Sequence, residues 1–369
     1  MNTVLQWFSL KNVKGVGNHL FKKLIDRFQF PENIFQATVD ELIRVEGVFP
    51  PVAKAIHQKK ITDPEKQEFE SAYEMGIRIV TMVDESYPSL LREIPDPPPF
   101  LYVLGKLEKK AVHLAIVGSR DATRYGITTA KQLSRELVRH DISIVSGMAR
   151  GIDTAAHEGA IEANGHTVAV LGCGVDVVYP SENRSLFQKI KEAGAVISEF
   201  PLHTNPEPYH FPLRNRIISG MSVGTIVVEA AMKSGSLITA KLAADQGREV
   251  FAVPGSIHSF KSAGTHNLLK QGAKLVETAT DVLEEIQPFL HHHESSGASS
   301  EVPIKKKHTK LDSEESIVFK ALEPYPVHFD DIVRSTGVEP GKLAGILLKL
   351  ELEGMVTQTP GKHFSSCEE

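Results

Sequence analysis

Between about Val112 and Leu290 short apolar runs alternate with longer helix-like stretches, and no other feature limits the possible folds of this chain so tightly. The runs His113–Val117, Ile142–Val145, Thr167–Leu171, Ala195–Glu199, Thr225–Val228 and Glu249–Val253, with a shorter one at Ala273–Val276, are nearly continuous in apolar residues. Strands of that kind are buried on both faces, which calls for a mostly parallel sheet with helices above and below it. The expected class is α/β, an extended Rossmann-like doubly wound sheet. In such sheets ligands bind beyond the carboxyl ends of the strands, so the turn after every strand is a candidate wall of a site.

Those turns share a chemistry. Gly118-Ser119-Arg120 follows the first core strand, and Ser146-Gly147-Met148-Ala149-Arg150-Gly151 follows the second. Gly172-Cys173-Gly174 follows the third, and the fourth leads to Arg214-Asn215-Arg216 at the start of a helix. After the fifth comes Lys233-Ser234-Gly235-Ser236, with Lys241 inside the helix it opens, and after the sixth come Pro254-Gly255-Ser256 and Gly264-Thr265. Glycine and serine permit close approach of backbone to ligand, helix N-termini favour negative charge, and Arg and Lys supply counter-charge. One phosphate needs one such turn. Five or six on one sheet edge imply a ligand with several phosphates, although each glycine taken alone is ordinary turn chemistry.

The flanks differ in texture. Residues 1–75 read as a helical domain with glycine turns at Asn12–Gly17 and Val45–Val48, a pair of helix-hairpin-helix or SAM-like units. Such turns either meet nucleic-acid phosphates through glycine N–H groups or simply join packed helices. Ile77–Val83 and Phe100–Leu104 read as strands around the proline cluster Pro95–Pro99, an extension packed on the sheet of a domain spanning 76–290. Residues 291–311, opening with His291-His292-His293 and containing Lys305-Lys306-Lys307, read as a flexible linker. Residues 312–369 read as three helices, Glu314–Leu322, Phe329–Ser335 and Pro340–Leu350, then a small hairpin, which makes a winged-helix domain with a short tail. Its third helix sets Lys342 and Lys349 beside Glu351 and Glu353, a poor match to a DNA groove.

Composition excludes several classes. Two cysteines, Cys173 and Cys367, rule out a disulfide framework and a Cys-based zinc site. No apolar run approaches the ~20 residues that cross a bilayer, and Met1–Leu10 lacks the pattern of a secretory leader, so a cytoplasmic location with no membrane partner is expected. With 41 Lys and Arg against 46 Asp and Glu, the net charge is −5, so polyanion binding has to come from a local concentration of cations. No cofactor or metal is expected. The dinucleotide fingerprint is absent after Val117, Gly172-Cys173-Gly174 lacks its third glycine, and there is no Walker lysine motif. Ser146, Asp153 and His157 lie close in sequence, but the serine is not in a nucleophile elbow. Glu229, just after the strand Thr225–Val228, is a carboxylate that a small-molecule nucleotide hydrolase could use as a general base.

Taken together, AIVGSRDATRYG (Ala115–Gly126), IVSGMARGIDTAAH (Ile144–His157), FPLRNRIISGMS (Phe211–Ser222), EAAMKSGSLITAKLAADQGREVFAVPG (Glu229–Gly255) and GTHNLLKQGA (Gly264–Ala273) closely resemble the DNA-processing protein A family, DprA or Smf. The resemblance implies a non-enzymatic protein that binds single-stranded DNA, protects incoming transforming DNA, loads the RecA recombinase and dimerises through its Rossmann-like domain. Carried to this sequence, the groove uses Gly118, Ser119, Arg120, Ser146, Gly147, Arg150, Gly151, Arg214, Asn215, Ser234, Gly235 and Lys241. Tyr125, Tyr179, Tyr209 and Phe211 are the nearby aromatic candidates for base stacking. The alternative is a phosphoribohydrolase-type enzyme, whose Gly-Thr…Glu element is similar to Gly224-Thr225…Glu229. Met221-Ser222-Val223 departs from the proline-glycine-glycine run of such enzymes.

Overall fold

The computed structural model describes residues 2–109, 111–294, 317–319, 321–322, 327–352, 356–359 and 363–366. The chain divides into two compact units, Met1–Gly297 and Ala298–Glu369.

The first unit is organised by one nine-stranded sheet. Its strands are β1 (Arg78–Thr81), β2 (Phe100–Gly105), β3 (Val112–Val117), β4 (Ile142–Ser146), β5 (Thr167–Val170), β6 (Ala195–Ser198), β7 (Gly224–Val227), β8 (Glu249–Ala252) and β9 (Lys274–Leu275). Their spatial order is β1-β2-β6-β5-β4-β3-β7-β8-β9. From β6 to β9 every pairing is parallel, whereas β1 with β2 and β2 with β6 are antiparallel. The two early strands thus extend the sheet by hydrogen bonding, with Tyr102 opposite Ser198, rather than packing on its face.

The apolar strands are buried on both sides, as their composition requires. Leu114 and Ile116 of β3 pack with Leu133, Leu137 and Ile144 in one layer, while Ala115 and Val117 join Val145 and Ile217 in the other. Two-sided burial fixes the register, since a slip by one residue exchanges the layers. The chain steps from β3 outward to β6, then returns to place β7 on the other side of β3. The sheet's switch point therefore lies between the ends of β3 and β7, where the connections leave in opposite directions and a crevice opens.

The helices before β1 share the core that contains β2 and β6, through Trp7, Phe8, Phe100 and Tyr102. They carry an internal repeat. Buried Leu10, Val13 and Val16 of the first hairpin recur as Leu42, Val45 and Val48 of the second. Gly15 and Gly47 occupy the same left-handed conformation, φ +93° and +91°. The second hairpin runs into Pro50-Pro51, which have no N–H to offer a phosphate. At the first, Lys11 donates to the Glu199 carbonyl (2.9 Å) and lies 4.7 Å over the Phe100 ring, fastening the hairpin to the end of β6. Burial pushes the Lys11 ammonium pKa down, against the opposing charges of Glu199 and Glu68.

Helix Ala279–Glu294 continues through the triple histidine, four residues into the expected linker. The rest of that linker, including Lys305–Lys307, lies outside the described residues. In the second unit, helices Phe329–Thr336 and Pro340–Leu352 accompany a three-stranded sheet, β10 (Val327–His328), β11 (Val356–Thr359) and β12 (His363–Ser366), in the order β10-β12-β11. The β11–β12 pair is the expected hairpin, and the two-residue β10 was too short to show a pattern. Val318, Ile332, Leu343, Leu347 and Phe364 form the core of this unit.

Candidate nucleic-acid interface

The crevice at the switch point is a cavity of about 730 Å³, walled by Gly118, Ser119, Arg120 and Asp121 after β3, by Phe211, Arg214 and Asn215, and by Lys233-Ser234-Gly235-Ser236 after β7. A second cavity of about 390 Å³ adjoins it, lined by Gly147, Arg150, Gly172, Cys173, Tyr179 and Glu182. Arg120, Asp121, Ala149, Tyr179, Phe211 and Arg214 border both, so the two form one groove with a ridge between.

The β3 turn is held by backbone bonds. Ser119 N–H donates to the Glu229 carbonyl (2.7 Å), and Ile152 N–H donates to the Ser119 carbonyl (3.1 Å). Gly118 has to be glycine, because a Cβ would lie 2.6 Å from the Ile152 side chain. Gly151 has φ +74°, and a Cβ there would sit 2.8 Å from the Arg120 carbonyl oxygen. These glycines bring the β3 and β4 turns together, leaving Arg120 and Arg150 exposed at the surface. Arg120 stacks its guanidinium 5.3 Å from the Phe211 ring centroid, and Phe211 in turn faces Tyr179 at 5.6 Å. A cation beside a tilted aromatic pair can meet both the phosphates and the base faces of a nucleic-acid strand.

The β4 turn behaves differently from a free anion site. Asp153, from the helix the turn opens, accepts the N–H groups of Gly147 (3.1 Å) and Ala149 (3.4 Å), so those donors are occupied from within the chain. Burial raises the Asp153 pKa, while Arg214 and the two N–H groups hold it down. Arg214 is 4% exposed. Its Nη1 donates to the carbonyls of Gly147 (2.8 Å) and Val170, and its Nε donates to Asn215 Oδ1 (3.2 Å). Burial pulls its pKa down to about 10. Arg214 forms the floor of the groove and ties the β4 and β5 ends together. Gly147 accommodates it, since a Cβ there would lie 2.6 Å from the guanidinium carbon.

Of the other expected site residues, Ser146, Gly264 and Thr265 lie behind the surface. Ser146 is fully buried and donates from Oγ to the Ile116 carbonyl (2.6 Å), stitching β4 to β3. Thr265 is fully buried and donates to the Ser262 carbonyl (3.0 Å), and Gly264 N–H donates to the Ala230 carbonyl (2.8 Å). Lys241 is exposed on the second turn of helix Gly235–Asp245, away from the lining of either cavity. Ser234 caps that helix by accepting the Ser236 N–H (3.4 Å), and Gly235 faces open space at the groove.

Two residues with catalytic chemistry in the sequence, Glu229 and His157, are likewise committed to the fold, as is the Cys173 thiol. The Glu229 carboxylate accepts the N–H and hydroxyl of Thr123, both at 3.0 Å, and does not line the groove. His157 is buried with Nδ1 2.7 Å from the Thr167 hydroxyl, and desolvation followed by the Arg214 charge lowers its pKa to about 3, so it stays neutral. Burial pushes the Cys173 thiol up to about 11 as it donates to the Val177 carbonyl, which makes it a poor nucleophile. Sequence reasoning passed over the acidic members of the groove, Asp121 and Glu182. Asp121 holds Lys261 at 3.0 Å, and Glu182 holds Arg150. No helix among the described residues is long and apolar enough to cross a membrane.

Comparison with known proteins decides the family. The profile of DNA recombination-mediator protein A matches residues 78–287, and that of the DprA winged helix domain matches residues 305–362. The chain belongs to the DprA/Smf family. Protein Smf of Synechocystis is 35% identical over 97% of both chains. The DNA processing protein DprA of Streptococcus pneumoniae is 45% identical over 56% of this chain and 73% of its own. The X-ray structure of that pneumococcal DprA superposes with a TM-score of 0.65 at 36% identity, covering 76% of this chain and 97% of the other. A Helicobacter pylori DprA, solved for its single-stranded DNA binding mode, superposes with a TM-score of 0.52 at 29% identity, over 57% of this chain and 96% of its own. The DprA profile covers all the turns that build the groove, so the resemblance of the motifs and the geometry of the switch point refer to one region.

Proposed function

We propose that this chain binds single-stranded DNA along the groove, shields incoming strands during natural transformation, and delivers them to a RecA recombinase. The reading is carried by the row of strand-end turns on which exposed Arg120 and Arg150 stand beside the Tyr179–Phe211 pair. Backbone N–H groups at Gly118 and Gly235, the Asn215 amide, and the cations Arg120, Arg150 and Lys233 meet successive phosphates. Aromatic faces take bases, which a duplex keeps stacked inside itself. The solved H. pylori relative supports the choice of ligand. Delivery to RecA rests on the family resemblance. Self-association through the Rossmann-like region is supported by Ile257 and Phe260, 83% and 72% exposed on the loop after β8, since large exposed apolar side chains mark contact surfaces.

Fluorescence anisotropy with a labelled oligothymidylate tests the binding. Wild-type affinity is expected to fall with salt at a slope of about −0.7 per phosphate neutralised. Arg120→Ala should weaken binding with the melting temperature unchanged. Salt-insensitive binding, or equal affinity for both proteins, refutes the reading. Release of free base from nucleoside monophosphates by the pure protein establishes the hydrolase alternative instead.

A further inference from the structure

The groove carries its own competing anion. Arg150 pairs through Nε with the Glu182 carboxylate, both at the surface with side chains 66% and 46% exposed. The pairing is built in by the surrounding structure. Glu182 lies on the 3-10 turn Ser181–Asn183, and the amide of buried Asn183 donates to the Met148 carbonyl and the Thr154 hydroxyl, both at 2.9 Å. Thr154 in turn donates to the Ala149 carbonyl (2.7 Å). The segment bearing Glu182 and the turn bearing Arg150 are thereby locked to each other. The carboxylate is held over this cation, and both border the second cavity. Hydrogen bonding between the two lowers the Glu182 pKa and raises that of Arg150, so the pair stays ionised at neutral pH.

We infer that Glu182 is an affinity-setting residue of the groove, an internal carboxylate that occupies Arg150 until a strand phosphate displaces it. The inference rests on the reading of the groove as a single-stranded DNA site. An exposed ion pair contributes little to folding and exchanges readily with solvent. Displacing the carboxylate therefore does not disturb the fold. Competition for Arg150 weakens the phosphate contact made there and speeds release, which suits a protein that must hand its strand on.

The test is a double-mutant cycle read by anisotropy with oligothymidylate on the full chain, using wild type, Glu182→Gln, Arg150→Ala and the double variant. Glu182→Gln is expected to bind about fivefold more tightly, the factor for a unit charge about 4 Å away in water. Its salt slope should steepen by about 0.7, because no freed carboxylate takes a cation back from solution when a phosphate binds Arg150. Arg150→Ala should bind more weakly, and the double variant should match Arg150→Ala. Melting temperatures of all four are expected to agree, and Glu182→Ala serves as a second removal of the charge. Unchanged or weaker binding by both Glu182 variants overturns the inference, as does a gain that survives in the Arg150→Ala background. If the wild type binds no single-stranded DNA, the failure belongs to the proposed function.

Discussion

Arg214→Ala separates a frame residue from a ligand residue. In the wild type the buried guanidinium donates to the carbonyls of Gly147 and Val170 and opposes the buried charge of Asp153. Truncation leaves two carbonyls without their donor and a carboxylate without its counter-charge. A hydrogen bond from an ionised donor contributes about 1.5–3 kcal/mol, and breaking a buried pair from one side costs about 3–5 kcal/mol. The expected loss is about 3–5 kcal/mol, a large part of the ~5–15 kcal/mol that holds a typical protein folded. The corresponding fall in melting temperature is on the order of 10 °C. Arg214→Lys should recover only part of it, because a single ammonium cannot reproduce the fork between two carbonyls. Arg120→Ala, by contrast, removes an exposed side chain and should move stability by about 0.5 kcal/mol or less. Urea denaturation followed by tryptophan fluorescence or circular dichroism, run beside DNA titrations, measures both effects. A wild-type denaturation midpoint in Arg214→Ala together with lost DNA binding refutes the assignment of Arg214 to the frame.

Phe211→Ala should reduce single-stranded DNA affinity by about 1–3 kcal/mol, the value of one base–aromatic stack, and equal affinity would remove Phe211 from the site. Glu65 is buried among Lys59, Ser9, Asn12 and the Thr62 N–H. Burial alone would raise its pKa, but these partners hold it at about 2, below the ordinary 4.5. Its folded pKa being depressed, it contributes stability above about pH 4.5 that is lost as the pH falls towards 2, at most roughly 3 kcal/mol. Acid titration of Glu65→Gln should therefore show a flatter stability profile between pH 4.5 and 2 than the wild type, and parallel profiles would contradict the assignment. A truncation after Gly297, the limit of the first unit, is expected to keep most of the single-stranded DNA affinity. Loss of binding would move the site to the winged helix.

The sheet was legible because a strand buried on both faces has to be apolar throughout, and Ile142–Val145 and Thr167–Leu171 announce this locally. The same runs say nothing about which residue of a strand's last pair points inward. Ser146 ends β4 facing Ile116, a register settled by the neighbouring strand. The β4 turn looks open to anions in the sequence because its glycines and helix start are local signals, whereas Asp153 returns to its own turn across the first helical residues. Glu182 gave no signal. It meets Arg150 through the long connection after β5, and only the Asn183 anchor brings the two together. The antiparallel edge was half visible, since Phe100–Leu104 reads as a strand but its partner, β6, lies almost a hundred residues on.

The central claim is that a DNA strand follows the strand-end turns past the ridge between the two cavities. Photo-cross-linking with 5-iododeoxyuridine oligonucleotides, followed by peptide mass spectrometry, reports this directly, because the adducts form at aromatic side chains next to bases. Adducts are expected at Tyr179 and Phe211, and they should be lost on competition with unlabelled single strand but not with equal amounts of duplex. Adducts confined to residues 1–75 or to the unit beginning at Ala298 would contradict the account.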